Sequence, residues 1–233
     1  MSMQNEVTLT CKECGHSQNF TLWNSVNVSL NPELNDKVKS QSLFQFKCEE
    51  CGETFTVEYP VLYHDVANKF MVQYLPNSTT EDDIEKFEKE KKEAIEVLNQ
   101  FTNMGYKFRT VRTMGNLISK IYTFENSLND LPVEFLKNVV YNESPAEQRS
   151  NLFDICFDGI DTESKLMFVL RYTDGTSLMC KIPKNTYDEA INNLKFVEPE
   201  YYSEVTMGNV FGYIKKDVAE YKESTETTND IIQ

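Results

Sequence analysis

Four cysteines stand in two matched pairs, Cys11 and Cys14 in TCKECGHSQNF and Cys48 and Cys51 in KCEECGETFTV, and each pair is followed at once by a glycine, Gly15 or Gly52. Two cysteines separated by two residues can turn both sulfurs toward one point. A second such pair supplies the other half of a tetrahedron around a metal with Zn–S distances of about 2.3 Å. The glycines belong to the same device, because the chain after each pair must turn sharply with φ > 0, which glycine does without steric cost, and that turn aims backbone N–H groups at the thiolates. The chain has only eight glycines, so two at equivalent places mark the turns as part of the motif. Three chemistries use this spacing: a structural zinc ribbon, a rubredoxin-like iron site, and a dithiol redox pair. A reactive pair would open a helix, whereas SQNFTLWNSVNVSL after Cys14 alternates like a strand. Four ligands also close a site, leaving no position for a catalytic water. The reading is one structural Zn2+ per chain on Cys11, Cys14, Cys48 and Cys51, with iron as the alternative.

The elements that must hold the pairs are strands. EVTLT before Cys11, FTLWNSVNVSL at 20–30, LFQFK at 43–47, TFTVEYPVLY at 54–63 and KFMVQYL at 69–75 show alternation or β-rich composition. Between the pairs, NPELNDKVKS begins with Asn31 as cap and Pro32 at the first helical position. The interval of 33 residues between Cys14 and Cys48 thus reads as strand, short helix and strand inserted between two knuckles of an antiparallel sheet.

From VTLTCKECG through NVSLNPEL and SLFQFKCEECGETFTVEYPVLYHD to KFMVQYLP, the chain resembles the CpXC domain, a bacterial zinc-ribbon-like domain named for two Cys-Pro-x-Cys pairs. The resemblance covers about residues 7–76, with a weaker continuation in VRTMGNLISKIYTFENSLNDLPVEFLK at 111–137. Lys12 and Glu49 stand where the motif has proline, so the turns lose rigidity and keep their sulfurs. The resemblance implies a metal and a fold, and no substrate.

The expected fold class is α+β: a zinc-ribbon-containing antiparallel sheet domain with an inserted short helix over residues 1–78, a helical and antiparallel-sheet domain over 79–200, and a terminal segment over 201–233. The polar run LPNSTTEDD suits the first boundary. Thr80 caps a helix of about twenty residues, with Glu81, Asp82 and Asp83 in its first turn and Gly105 at its stop. Its seam of Ile84, Phe87, Lys91, Ala94, Leu98 and Phe101 is too short for a zipper and is expected to pack on its own chain. Helices follow at 114–127 and 132–142, then strands in NLFDICFDG, KLMFVLRY and TSLMCKIP, the last two joined at Thr173, Asp174 and Gly175, and a returning helix in NTYDEAINNLKF. The tail from Lys215 is polar and expected to fray.

Other chemistry-bearing residues read as structural. Asp154, Cys156 and Asp158 alternate along one strand with Cys180 nearby, but Phe153, Ile155 and Phe157 inward with polar residues outward explain the same pattern. Lys107, Arg109, Arg112 and Lys120 form the one locally basic stretch and read as surface rather than as a phosphate or nucleic-acid contact. His16 lies too close to Cys14 to complete a ligand set, and His64 points away from Asp65 because adjacent strand residues face opposite sides. The sequence holds no Walker loop, GxGxxG, nucleophile elbow or HExxH, and so supports no catalytic residue.

Net charge of -14, spread over every third of the 233 residues, opposes phosphate backbones and anionic membranes. No segment approaches the 18 or so apolar residues of a span, and the start lacks a signal-peptide pattern, so a cytoplasmic setting is expected. The function expected is that of a zinc-binding, non-catalytic interaction protein whose partner is another protein. A nucleic-acid-binding ribbon is the alternative and an unrecognised hydrolase the third reading. Nothing in the sequence fixes an oligomeric state.

Overall fold

The computed structural model describes residues 2–215. The polar tail expected from Lys215 therefore lies outside the described residues except for Lys215 itself. The chain runs β1 (Met3–Thr10), β2 (Ser17–Asn27), α1 (Glu33–Lys39), a 3-10 turn (Ser42–Phe44), β3 (Gln45–Lys47), β4 (Thr54–Thr56), β5 (Val61–Asp65) and β6 (Phe70–Tyr74). It continues with α2 (Glu81–Glu93), α3 (Ile95–Asn103), β7 (Lys107–Val111), α4 (Met114–Glu125), α5 (Asp130–Glu143), α6 (Ala146–Arg149), β8 (Leu152–Ile160), β9 (Lys165–Tyr172), β10 (Ser177–Pro183), α7 (Lys184–Asn193), β11 (Ser203–Glu204) and a second 3-10 turn (Val210–Tyr213). The class is α+β, as expected.

One six-stranded sheet in the order β1-β2-β5-β6-β7-β11 organises the molecule. The antiparallel pairs expected near the cysteines are present, β1 with β2, β5 with β6, and β3 with β4 as a separate small hairpin. Parallel pairs join them: β2 with β5, β6 with β7, and β7 with β11. Strands from either side of residue 78 thus share the sheet, and residues 203–204 of the terminal segment close its far edge. The parallel joins follow from the connections. β2 reaches β5 through α1 and the β3–β4 hairpin, and β6 reaches β7 through α2 and α3, excursions long enough to bring the chain back in the same direction.

The core under this sheet draws on both halves. Val26, Tyr63, Phe70, Val72 and Tyr74 from its strands pack on Val38 of α1, Phe44, and Leu117, Ile121 and Phe124 of α4. Its other side is covered by α3 and the chain near residue 201, where Leu98 and Phe101 meet Met71, Tyr106, Phe108 and Tyr202. The single helix expected over about 80–105 is two helices breaking at Ala94. They follow different surfaces: α2 leans on Tyr202 only through Phe87, whereas α3 settles into the sheet through Leu98 and Phe101. Thr80 caps the start by accepting a hydrogen bond from the Asp83 N–H, as its position predicts, and the seam packs on its own chain.

A second sheet, β10-β9-β8, is antiparallel throughout, with its core of Ile155, Phe157, Leu166, Phe168 and Leu170 against Val133, Leu136 and Val140 of α5 and Tyr187 of α7. Here the expected facing fails. Phe153 is 64% exposed, while Cys156 is buried together with Ile155 and Phe157. Bulges between Leu152 and Asp154 and between Phe157 and Gly159 reset the alternation. The reverse face of β8 is also covered, by the start of α4: a methyl added at Gly115 would come within 2.7 Å of the Cys156 sulfur. Ser119 of the same helix accepts a hydrogen bond from the Phe157 N–H at 3.1 Å, satisfying the free edge of the strand. Helix α4 is therefore wedged between the two sheets.

Candidate metal centre

Cys11 follows β1 and Cys14 lies in the β1–β2 turn; Cys48 follows β3 and Cys51 lies in the β3–β4 turn. Each turn closes identically. The Cys11 N–H donates to the His16 carbonyl and the Gly15 N–H to the Cys11 carbonyl, at 2.8 and 2.9 Å. The Cys48 N–H donates to Glu53 and the Gly52 N–H to Cys48, at 2.8 and 3.0 Å. Gly15 and Gly52 sit at φ 76° and 78°, the left-handed region where a side chain is strained. Lys12 and Glu49 therefore leave both turns intact without proline.

The four sulfurs converge within 4.8 Å of one another, with Cys11 to Cys51 at 3.7 Å and Cys14 to Cys48 at 3.6 Å. The edge of a tetrahedron with 2.3 Å metal–sulfur bonds is about 3.8 Å, so the spacing is that of a thiolate-bound ion. A disulfide would need about 2.05 Å, and all four are free thiols. The group could hold a metal ion, with Cys11 and Cys48 buried beneath it and Cys14 and Cys51 exposed. Backbone N–H groups face the sulfurs: that of Cys51, then that of Glu50, draws the Cys48 thiol down to about 6, with the sulfurs of Cys14 and Cys51 adding to the shift. For Cys51 the N–H of Glu53 pulls down, but burial and the three neighbouring sulfurs outweigh it and push the thiol up to about 12. Four thiolates at one point repel each other, and a divalent cation removes that penalty.

Two supports were not visible in the sequence. Gln18 on β2 donates its amide to the Lys47 carbonyl at 3.0 Å and accepts from the Glu49 N–H at 2.8 Å, bridging the two knuckles with a side chain in place of a strand pair. Phe46 and Phe55 stack at 4.6 Å beneath the sulfurs, with Leu9, Phe20 and Val57 completing a small apolar base.

The remaining candidates separate. Among the described residues, the cysteine tetrad alone gathers three or more metal-ligating side chains. The Cys156 thiol lies 3.0 Å from an Asp154 carboxylate oxygen and is pushed up to about 12 by burial and then by that carboxylate, so it stays protonated at neutral pH. Cys180 pairs across the sheet with Phe168, on the opposite face from Cys156. Replacing Cys156 and Cys180 together with Ser should leave metal content at the wild-type stoichiometry by elemental analysis; loss of the metal would reassign the ligands. His64 faces Asn27 and Tyr106, at 3.5 and 3.4 Å, while Asp65 turns the other way to accept two hydrogen bonds from Asn68. Burial first among its causes lowers the His64 pKa. No acid–base pair forms there. His16 is half-buried, and only its backbone joins the knuckle.

The stretch read as basic surface is dispersed, and two of its members are not on the surface at all. Arg109 and Lys120 are buried in an ion network. Arg109 makes two bonds to Asp130, at 2.8 and 3.0 Å, and one to Glu198 at 2.8 Å. Lys120 bonds Asp130 and Glu134 at 2.8 and 3.0 Å, and Lys137 bonds Glu134 at 3.0 Å. The Arg109 and Lys120 cations hold the Asp130 carboxyl far below the usual carboxylate range despite its complete burial, which opposes that shift. Three cations meet three carboxylates, so the network is neutral. The signal that could have revealed it is the spacing of Asp130, Glu134 and Lys137, a charged stripe along one side of a helix whose first two turns are otherwise apolar.

The CpXC protein family matches residues 9–137, from just before the first cysteine pair to the last lysine of the ion network. Neither a curated protein nor a solved structure matches the chain. The match spans both knuckles, strands β2 to β7, α4 and the first half of α5, and takes in more than half of the residues; the chain belongs to the CpXC family.

Proposed function

We propose that this chain is a zinc-clipped, non-catalytic module that binds another protein. The observation that carries the metal part is the closed tetrad: four sulfurs at tetrahedral spacing fill the coordination sphere of a zinc ion, the arrangement of structural rather than catalytic sites. The binding part is supported by β10, an edge strand of the second sheet. Leu178 and Met179 are 50% and 55% exposed on it, and its Lys181 and Pro183 blunt only the far end. An extended segment of a partner could add to that edge, with main-chain hydrogen bonds giving affinity and the two apolar side chains giving specificity. Among the described residues no helix is long and apolar enough to cross a membrane.

Two measurements test the reading. Elemental analysis of purified protein should find one zinc per chain; a red iron chromophore, or a folded reduced sample without metal, overturns the zinc assignment. Affinity isolation from the native cell should retain a protein that rebinds when purified and is lost with Met179→Lys. Salt-dependent retention of DNA or RNA in its place would establish the nucleic-acid alternative.

A further inference from the structure

A cavity of about 370 Å³ opens where the β5–β6 turn, the start of β7 and the α4–α5 junction meet. It falls in the size range of small-molecule sites. Its lining is unusual for this chain. Two of the ten residues are lysines, Lys69 and Lys107, and none is acidic, in a protein carrying 37 acidic residues. Among the described residues neither lysine forms an ion pair. The Lys69 ammonium donates to the Met104 carbonyl at 3.1 Å, which fixes its position and leaves further N–H groups to offer. The Lys107 ammonium lies 5.8 Å from the Phe124 ring centre, an attraction that supplies no counter-charge. Of the two carboxylates that adjoin this wall in sequence, Glu125 is neutralised by Lys39 and also accepts from Asn35, while Asp65 is turned to the neutral Asn68 of the wall.

Neutral donors complete the wall. Asn129 spends its side-chain oxygen on the Leu131 N–H, which leaves its amide N–H groups, and Ser127 contributes a hydroxyl. Three wall residues hold left-handed backbone, Lys69 at φ 55°, Gly105 at 88° and Ser127 at 56°, and for the two with side chains this conformation is strained. Bare Gly105 keeps the space beside the Lys69 stem open. Two cations without a counter-charge, lining one cavity together with amide and hydroxyl donors, are the chemistry that holds a phosphate group. The geometry points to this cavity as a binding site for a small phosphate-bearing molecule, with Lys69 and Lys107 as the charge-bearing contacts. The site is separate from the cysteine tetrad and does not depend on the protein partner proposed above.

The test is a titration of the full metal-loaded chain with inorganic phosphate and, in parallel, glycerol 3-phosphate, followed through backbone amide shifts at constant ionic strength. Saturable shifts at Lys69, Gly105, Lys107 and Ser127 with Kd at or below about 1 mM are expected, weakened by about tenfold or more in the Lys69→Gln, Lys107→Gln double variant. Both lysines lie outside the apolar core, and unchanged metal content and thermal unfolding establish that the variant folds. Tighter binding of the ester identifies an organic phosphate, and equal binding identifies the free anion. Shifts reproduced by chloride, or unaltered in the double variant, overturn the proposal.

Discussion

Cys48→Ser should abolish tight metal binding and loosen the β1–β2 and β3–β4 hairpins while leaving the layer of α4, α5 and the second sheet closed. The apolar base beneath the sulfurs is small, with Cys11, Cys48 and Phe46 its only fully buried members. Thiolate-bound zinc contributes roughly 10–16 kcal/mol in small peptides near neutral pH, comparable with the whole stability of a domain. Such a base cannot substitute for it. The strands β6 and β7 and helix α4 pack in cores whose fully buried members all lie outside the two cysteine turns and the β1–β2 and β3–β4 strands that join them, Val26 excepted. Hydrogen exchange should therefore accelerate in the strand amides of residues 7–23 and 45–56 and stay slow in β6, α4 and β9. If every amide accelerates together, the molecule is one cooperative unit with the clip. If none does, the metal is not structural.

Asp130→Ala should cost about 3–5 kcal/mol of unfolding free energy in denaturant titration, the usual result of leaving buried charges without their partner. Its carboxylate serves Arg109 from β7 and Lys120 from α4 at once, and neither cation can reach water. Glu198→Ala is the control. That glutamate is 57% exposed and its loss leaves Arg109 still bound twice to Asp130, so an effect of about 1 kcal/mol or less is expected. Because the folded-state pKa of Asp130 is depressed, its stabilisation is complete above the unfolded carboxylate value of about 3.9 and is lost progressively as pH falls below it. Asp130→Asn should remove that part of the acid sensitivity. An Asp130→Ala protein as stable as wild type would mean the network is idle.

The contrast between these two sites explains what could be read without coordinates. The tetrad is written locally: Cys-x-x-Cys-Gly specifies a turn and two ligands within five residues, and its repetition specifies the other half. The cap at Thr80 and the hairpin at Gly175 are local in the same sense. Arg109, Lys120 and Asp130 are scattered, and each type is exposed in most proteins, so only their meeting in space identifies them as buried. Cys156 escaped for a related reason. Strand alternation is local, but the bulges at Leu152/Asp154 and Phe157/Gly159 that break it, and the α4 residues that cover the reverse face, belong to the packing. The parallel joins of the large sheet were equally hidden, since nothing in a strand's own residues names its neighbour.

The β1–β2 ribbon meets the rest of the large sheet through only three pairs, Ser25, Val26 and Asn27 with Leu62, Tyr63 and His64. From there to Ser17 it runs about 26 Å at 3.3 Å per residue, and the cysteine turn lies at its tip. In mechanical language the ribbon is a beam. A metal bound by the sulfurs of both hairpins, the far one itself anchored through Phe44 in the core, would prop its free end and make it a span supported twice. Without that prop it is a cantilever resting on side-chain contacts along its length. A bound metal would then set the stiffness of the ribbon as well as its stability, and a partner touching the tip would feel a rigid post or a compliant arm according to whether the ion is present.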